Sequence, residues 1–242
     1  MLRRILAMGG MAGLSVLDIA GLREASAAVV GGPVWLDDFL GTTIDARYQI
    51  SLGGGSVKMA PSMSGGAAML STYTTQPGSP RMRFGGDAAG GDVDMRNWNV
   101  NRDIVYETRV FYNSTNYMQS SVGFVGQNDP SNFLEFYYSA PGENTSTWKF
   151  AITFNNTNGY FIDTGFSHPL SQWVVFRIET TRGSPPTVRF YINDELKGTY
   201  SGAEIPTMNL VPEYNCYNFF KYGQYSLVGL WVDYLYVKQA RV

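Results

Sequence analysis

The sequence predicts an all-β protein, a two-sheet antiparallel jelly-roll sandwich preceded by an N-terminal arm. Aromatic residues make up 14% of the 242 residues and 27 residues are glycine, a composition that favours strands and turns. From residue 30 onwards, apolar residues alternate with polar ones or form runs of strand length. Clusters of Gly, Pro, Asn and Ser bound these runs. This spacing of short strands is typical of a sandwich.

The predicted strands follow one another along this whole region. Turn-forming sequences such as QNDPSN at 127–132 and RGSPP at 182–186 separate them. The GGGS sequence at 53–56 has the same spacing, so we interpret it as a turn and predict a single domain over residues 30–242. The strands are predicted at residues 34–39, 46–51, 56–60, 67–73, 80–84, 104–112, 117–126, 132–139, 147–154, 160–164, 173–181, 187–200 and 225–237.

Residues 1–29 differ from the rest of the chain and have two interpretations. Arg3 and Arg4, an apolar middle and the small-residue sequence ASA at 25–27 are typical of a secretory leader. Three glycines and Asp18 interrupt the apolar stretch, and a membrane span needs about 20 apolar residues. The alternative is therefore a retained arm that docks onto a partner protein, and no membrane span is predicted.

The composition argues against several classes of function. Twenty acidic and 18 basic residues give a net charge of −2 without a basic run, so no nucleic-acid partner is predicted. The lone cysteine, Cys216, excludes an internal disulfide, and we expect it to be a packed side chain. The chain has one histidine, His168. A multi-histidine site is therefore excluded, and a Ser-His-Asp site would depend on this one residue. We interpret it as a solvated loop residue.

Three segments resemble the concanavalin A-like lectin/glucanase jelly rolls, which include LamG-like domains. They are WLDDFLGTTIDARYQISLGGGSVKM at 35–59, WVVFRIE at 173–179 followed by VRFYINDEL at 188–196, and LWVDYLYVKQAR at 230–241. The resemblance covers residues 30–242 in order and implies the same sandwich. Its motifs belong to the scaffold, so function transfers poorly.

The resemblance implies three settings for such a domain. Similar domains occur on bacteriophage particles, in secreted bacterial carbohydrate-binding proteins, and in glycoside hydrolases and lyases. One departure from the family pattern is Asp194, which stands where the family hairpin usually has glycine. Aspartate tolerates turn geometry, so we expect the hairpin to form.

The hydrolase interpretation needs two carboxylates about 5–5.5 Å or about 6.5–9.5 Å apart. Retaining hydrolases that the chain resembles carry an E-x-D-x-E strand, which puts alternate carboxylates on one face. The nearest candidate, Glu135, has Phe133 and Tyr137 at the corresponding positions. Glu107 could meet Glu135 across strands. Because matched acidic neighbours are missing, we predict no catalytic residue and a non-enzymatic protein, with a glycoside hydrolase as an alternative.

Aromatic side chains are the predicted ligand-binding residues. Aromatic faces with amide neighbours suit sugar stacking and protein contacts alike. Mixed parity over residues 214–225 indicates that some of the aromatic residues there face outwards. The predicted ligand-binding residues are Tyr138, Tyr160, Tyr217 and Tyr222.

The predicted function is that of a bacteriophage virion protein: capsid decoration, a fibre or a tail-associated adhesin. Its predicted partners are other virion proteins, further copies of this chain and host surface glycans, and its predicted location is the virion. A secreted bacterial carbohydrate-binding protein is the first alternative.

Asp233 is a lone carboxylate in the apolar C-terminal run. Strict alternation puts it on one face with Trp231, Leu235 and Val237. Both faces are largely apolar, which predicts an interior strand rather than an edge.

The resemblance implies that the first and last strands are adjacent, which would bring Asp233 near Asp37 and Asp38. Three carboxylates together need compensation from Arg47 or Arg241, from backbone N–H groups, or from calcium. We favour local hydrogen bonding. The three aspartates are also the candidate ligands of a structural calcium ion, the one cofactor considered.

Overall fold

A computed structural model of the chain describes residues of the predicted sandwich domain. The segment 1–29, predicted as a leader or an arm, lies outside the described residues. The structure describes residues 34–45, 47–60, 63, 66–72, 79–84, 98–113, 118–140, 147–154, 159–218 and 229–240. No helix in these ranges has the length and hydropathy to cross a membrane.

Strands form where the sequence predicts them. The bounds agree to the residue at 104–112 and 173–181, and 187–200 divides into two strands of a hairpin. The strands are β1 (Val34–Asp37), β2 (Tyr48–Ser51), β3 (Gly55–Met59), β4 (Ala68–Thr72), β5 (Arg81–Phe84), β6 (Trp98–Asn99), β7 (Ile104–Tyr112), β8 (Met118–Gly126), β9 (Phe133–Ala140), β10 (Lys149–Thr153), β11 (Tyr160–Asp163), β12 (Trp173–Thr181), β13 (Thr187–Ile192), β14 (Glu195–Ser201), β15 (Asn209–Asn218) and β16 (Gly229–Gln239).

The strands build two sheets in which the pairings are antiparallel. Sheet A has the order β14-β13-β12-β7-β16-β4-β3, with β1 beside β16. Sheet B has the order β11-β10-β9-β8-β15-β5-β2, with β6 beside β15. The predicted two-sheet sandwich is confirmed. The first and last strands are adjacent, and β16 is an interior strand with β7 on one side and β4 and β1 on the other.

The core lies between the sheets and is rich in aromatic rings. Trp35, Trp98 and Trp148 are fully buried. Phe150 of sheet B stacks on Phe190 of sheet A, with ring centroids 4.1 Å apart. Each large apolar side chain that is buried in this way contributes about 1.5–3 kcal/mol. The alternation that fills the core sends every second side chain of each strand to the outer face.

The strand β15 is the main element that sequence reasoning missed. Its residues fall partly within 214–225, where the sequence predicted an aromatic contact surface. Proline is uncommon inside a sheet, and Pro212 lies in the middle of this strand. Pro212 pairs with neither β5 nor β6, because it falls in the gap between these two strands. Its nitrogen faces this gap, on the side of β15 to which Cys216 donates its N–H. The sheet therefore needs no backbone N–H donor from Pro212. Cys216 is buried, which confirms it as a packed side chain.

A β-bulge at Asp233 corrects the predicted alternation of β16. The pairing with β7 shifts by one residue between Val232 and Tyr234, which reverses the side-chain phase. The core-facing residues are Leu230 and Val232 before the bulge, and Leu235 and Val237 after it. Asp233 therefore does not share a face with Leu235 and Val237, because strict alternation ignores the extra residue.

The hairpin between β13 and β14 turns through Asn193 and Asp194. Their φ angles are +49° and +65°, a pair of left-handed conformations that suits the two-residue turns of hairpins. Asparagine and aspartate tolerate this region better than other non-glycine residues. Asp194 thus fills the position that glycine usually takes, as the sequence predicted.

His168 is buried, not solvated as the sequence suggested. It is 4% exposed and contacts Tyr112, Trp148 and Phe176. Burial disfavours the imidazolium and lowers the pKa of His168 to about 4. The histidine thus belongs to the aromatic core and is not available for chemistry at the surface.

We expect His168 to limit stability in mild acid. The unfolded chain takes up a proton below about pH 6.5, whereas the folded chain does not until about pH 4. Stability therefore falls across this window, by roughly 3 kcal/mol in total. Urea unfolding of wild type and His168→Phe at pH 7 and pH 4.5 would show it as a smaller loss in the variant. Equal losses in the two proteins would contradict this assignment.

Candidate functional site

The outer face of sheet B carries a row of side chains that runs straight across the strands. Gly123 on β8 is paired with Glu135 on β9 and with Glu213 on β15. Two carboxylates therefore flank a position that has no side chain. We call this the Glu135 row; its members are Phe161, Ala151, Glu135, Gly123, Glu213, Arg83 and Gln49.

Gly123 is fixed in this row by its backbone and its neighbours. Its φ angle is +153°, and a Cβ there would lie 2.6 Å from the Cα of Glu135 and from the carbonyl oxygen of Leu134. Any larger residue would push β8 away from β9. The glycine thus keeps the surface between the two glutamates free of side-chain atoms.

The two glutamates have different electrostatic environments. Glu213 accepts a hydrogen bond from Arg83 Nε at 2.7 Å on its Oε2 atom. Arg83 Nη2 lies 2.6 Å from the same oxygen and completes the ion pair. Glu135 is 9% exposed and has no ion pair of this kind among the described residues. Burial is the main cause that raises the pKa of Glu135 to about 8; the nearby Glu213 adds to the rise, and Ser121 and Arg81 oppose it. Glu135 is therefore largely protonated at neutral pH.

A second row lies one pleat along the same face. We call it the Ser121 row; its members are Asp163, Lys149, Tyr137, Ser121, Asn215, Arg81 and Ser51. Its centre, Ser121 and Asn215, is small and polar. Arg81 is exposed at one end, and Tyr137 stands at the other side of that centre. The two rows together form a shallow floor of small residues on β8 between charged and aromatic borders.

An aromatic edge closes the face on the side of β11. Phe161 lies against Tyr137 with a ring-centroid distance of 6.0 Å, and it is 51% exposed. Its neighbour Ile162 points into the core, so Phe161 belongs to the outer face. Exposed aromatic rings beside polar groups can stack on apolar faces of a ligand while the polar groups bind its hydroxyls.

The structure sorts the predicted ligand-binding tyrosines into different environments. Tyr217 lies on the outer face of sheet B, paired with Gln119. Tyr160 is 47% exposed but lies at the sandwich edge, where its ring is 4.6 Å from that of Tyr200. Tyr138 is 1% exposed and packs on Trp148, so the prediction of a surface role for it is wrong. Tyr222 lies outside the described residues.

The three aspartates predicted as calcium ligands do not gather into one site. The described ranges contain no group of three or more Asp, Glu, His or Cys side chains that could hold a metal ion. Asp37 and Asp38 accept hydrogen bonds from the backbone N–H groups of Phe39 and Leu40. Since the donor set does not fit the ion, we assign no calcium to these residues.

Asp233 is compensated by an arginine that the sequence did not indicate. Arg109 on β7 donates a hydrogen bond from Nε to its Oδ2 atom at 2.8 Å, and Nη2 lies 2.6 Å from the same oxygen in the ion pair. Burial still raises the pKa of Asp233, against the lowering effect of Arg109. Asp233 is thus a structural aspartate at the bulge where the first and last strands meet.

Glu107 and Glu135 lie in different sheets, so the cross-strand pair considered from the sequence does not form. Glu107 is on the outer face of sheet A, where Tyr234 donates to it at 2.6 Å and Arg177 lies at 3.5 Å. The partner that the structure gives to Glu135 is instead Glu213, two strands away. Sequence reasoning missed Glu213 because it did not recognise β15 as a strand.

A shallow depression of about 410 Å³ lies at one end of sheet B. Its lining is mostly polar: Asn99, Gln127, Asn128, Asp129, Thr207, Met208 and Asn209. Asp129 is occupied by hydrogen bonds from Ser131 and Asn132, which hold its pKa below the usual range. None of the lining residues belongs to the Glu135 row or the Ser121 row.

The fold is shared with saccharide-binding and saccharide-cleaving proteins. The Emp47p carbohydrate recognition domain matches with a TM-score of 0.60 at 9% identity, over 85% of this chain and 95% of that one. Bacillus licheniformis β-glucanase matches with a TM-score of 0.58 at 16% identity, over 88% of this chain and 100% of that one. A Bacteroides ovatus GH16 protein from a mixed linkage glucan PUL matches with a TM-score of 0.58 at 11% identity, over 84% of this chain and 99% of that one. No family model and no curated protein matches the sequence.

These similarities define the class of the molecule by its fold. The chain is an all-β, two-sheet antiparallel sandwich of the concanavalin A-like type, which confirms the resemblance given by the three sequence motifs. This fold is common to lectin domains and GH16 glycoside hydrolases, so the function has to be argued from the outer face of sheet B.

Proposed function

We propose that this chain is a non-enzymatic saccharide-binding protein whose ligand lies across the outer face of sheet B. The observation that carries the proposal is the pair of polar rows, with their bare centre at Gly123 and their aromatic edge at Phe161. The face from β9 to β5 spans three strand spacings, about 14 Å, which accommodates one or two sugar rings. Side chains that donate and accept hydrogen bonds line this width.

The proposal extends to a biological setting. We propose that the domain acts on a bacteriophage particle as a decoration, fibre or tail-associated adhesin that contacts other virion proteins and host glycans. Its support is the resemblance of the three scaffold motifs to domains found on such particles. A secreted bacterial carbohydrate-binding protein would use the same face in the same way.

We expect the exposed ring of Phe161 to contribute to saccharide affinity. A glycan array would first identify a ligand, and calorimetry would then compare wild type with Phe161→Ala. Loss of a stacking ring should weaken binding about tenfold, the equivalent of about 1.4 kcal/mol.

Tyr160→Ala is the matched control, because Tyr160 is an exposed ring on the same strand that faces the sandwich edge. It should leave the affinity unchanged. Equal weakening by both substitutions, or the absence of any bound glycan on a broad array, would contradict the proposed site.

A glycoside hydrolase is the second candidate, and the Glu135 row is the observation that favours it. Two strand spacings place the Cα atoms of Glu135 and Glu213 about 9.5 Å apart. A carboxyl with a raised pKa beside an ionised one is the pattern of an acid–base pair. Arg83 holds the Oε2 atom of Glu213 with a hydrogen bond from Nε and an ion-pair contact from Nη2, which leaves only its other oxygen for a base. Release of reducing sugar by wild type, lost in Glu135→Gln, would replace the non-enzymatic proposal with this one.

A further inference from the structure

We propose that the saccharide bound on sheet B is acidic, and that its carboxylate lies beside Arg81, on the same floor as the carboxyl group of Glu135. This inference rests on the proposed saccharide-binding role and specifies the chemical class of the ligand. It follows from the balance of charges on the outer face of sheet B.

Most charges on this face are matched in pairs. Glu213 is bound by Arg83. Lys149 is directly opposite Asp163 across β10 and β11, and Lys149 helps to lower the pKa of Asp163. Each of these pairs contributes little net field to a ligand in the middle of the face.

Arg81 is the cation of the two rows that lies opposite no carboxylate, since its cross-strand neighbours are Asn215 and Ser51. It is exposed at the end of the Ser121 row, and no salt bridge joins it to a carboxylate among the described residues. Its guanidinium can bind a carboxylate through two parallel hydrogen bonds. Asn215, next to it on β15, adds an amide at the same end of the floor.

Glu135 is the acidic residue of these two rows that lies opposite no cation, since its cross-strand neighbours are Ala151 and Gly123. Its burial keeps it largely uncharged at neutral pH. In that state it can donate a hydrogen bond and does not repel an anion. With Glu135 neutral, the described charges of the two rows sum to one positive charge, that of Arg81, which complements one ligand carboxylate.

The same arrangement sets the direction of a pH effect. Raising the pH through about 8 ionises Glu135, which removes a donor and adds a negative charge to the floor. The groups that face Glu135 on neighbouring strands are Ser121 and Gly123 on β8, Glu213 and Asn215 on β15, Lys149 and Ala151 on β10, and Arg81 and Arg83 on β5. Of these Arg81 is the cation without an opposing carboxylate, so the new charge would compete with the ligand carboxylate for its guanidinium. An acidic ligand should therefore bind less tightly at pH 9 than at pH 7.

The test compares an acidic oligosaccharide with its neutral counterpart, oligogalacturonate and its methyl ester, by calorimetry at pH 6, 7 and 9. We expect the acid to bind at least tenfold more tightly than the ester at pH 7. Arg81→Gln should remove this preference, so that the affinities for the acid and the ester differ by less than about twofold. Glu135→Gln, which cannot ionise, should lose the weakening of acid binding between pH 7 and pH 9.

Arg102→Gln is the charge-matched control, since Arg102 is an exposed arginine outside both rows. A loss of acid binding in Arg102→Gln equal to that in Arg81→Gln would overturn the assignment of Arg81. Saccharides that bind with no preference for the acid would overturn the inference but leave the proposed function standing. Absence of saccharide binding altogether would overturn both. Thermal melts of each variant exclude unfolding as the cause of a loss.

Discussion

Replacing Glu135 with glutamine should make the protein more stable at pH 8–9 and should remove most of its loss of stability between pH 5 and pH 8. Glutamine has nearly the shape of a protonated glutamate and cannot ionise. The raised pKa of about 8 comes mainly from burial on β9. The variant therefore keeps the neutral state that the fold already prefers.

The sign of this effect follows from proton binding. Between about pH 4.5 and pH 8 the folded chain keeps the Glu135 proton while the unfolded chain loses it. Stability is then fully present below pH 4.5 and is lost as the pH rises through the folded pKa. The difference in pKa corresponds to a loss on the order of 5 kcal/mol.

Urea unfolding of wild type and Glu135→Gln at pH 5, 7 and 9 would measure it. Glu195→Gln serves as a control because Glu195 is an exposed carboxylate on β14, and its pH dependence should match that of wild type. If Glu135→Gln instead lowers stability at every pH, the carboxylate is ionised in the folded protein and the further inference loses its neutral neighbour.

The sequence predicted the scaffold because the scaffold depends on local alternation. In β12, WVVFRIETT, every second residue from Val174 to Thr180 is buried, so the strand can be recognised from nine residues alone. The adjacency of the first and last strands came from the resemblance of the terminal motifs, since hydrogen bonding between β1 and β16 joins residues about 200 positions apart. No local pattern contains that information.

The candidate site escaped prediction for two physical reasons. Proline is not expected inside a strand, so Pro212 argued against β15, although the gap beside it needs no backbone N–H donor. Because β15 was not predicted, Glu213 was not considered as a neighbour of Glu135. The alternation of Leu210, Tyr214 and Cys216 with Val211 and Glu213 was the signal that could have revealed it. The pKa of Glu135 could not be predicted either, because it depends on burial and on residues from three other strands.

The bulge at Asp233 was also not predicted from the sequence. An extra residue leaves the apolar composition of LWVDYLYV unchanged, so only the pairing with β7 shows the reversal of phase. The expected cluster of three aspartates came from the adjacency of the first and last strands that the resemblance implies. In the described residues Asp233 is instead paired with Arg109.

Removing Arg109 should destabilise the protein strongly. In Arg109→Met the carboxylate of Asp233, 6% exposed, would lose its hydrogen bond from Nε and the ion-pair contact with Nη2. Breaking one side of a buried pair typically lowers the free energy of unfolding by about 3–5 kcal/mol. Methionine keeps an apolar stem near Trp173, whose ring centroid is 5.3 Å from the guanidinium carbon. The loss therefore reports mainly on the uncompensated charge.

A double-mutant cycle separates this charge from packing. Adding Asp233→Asn to Arg109→Met should recover most of the lost stability, because asparagine carries no charge that burial must disfavour. Lys197→Met is the matched control, since it breaks an ion pair with the exposed Glu195 and should change stability by about 1 kcal/mol or less. Lowering the pH should also rescue Arg109→Met, because Asp233 then accepts a proton. If the double variant is as unstable as the single one, Arg109 stabilises the bulge by packing, and charge compensation at Asp233 is not what holds the first and last strands together.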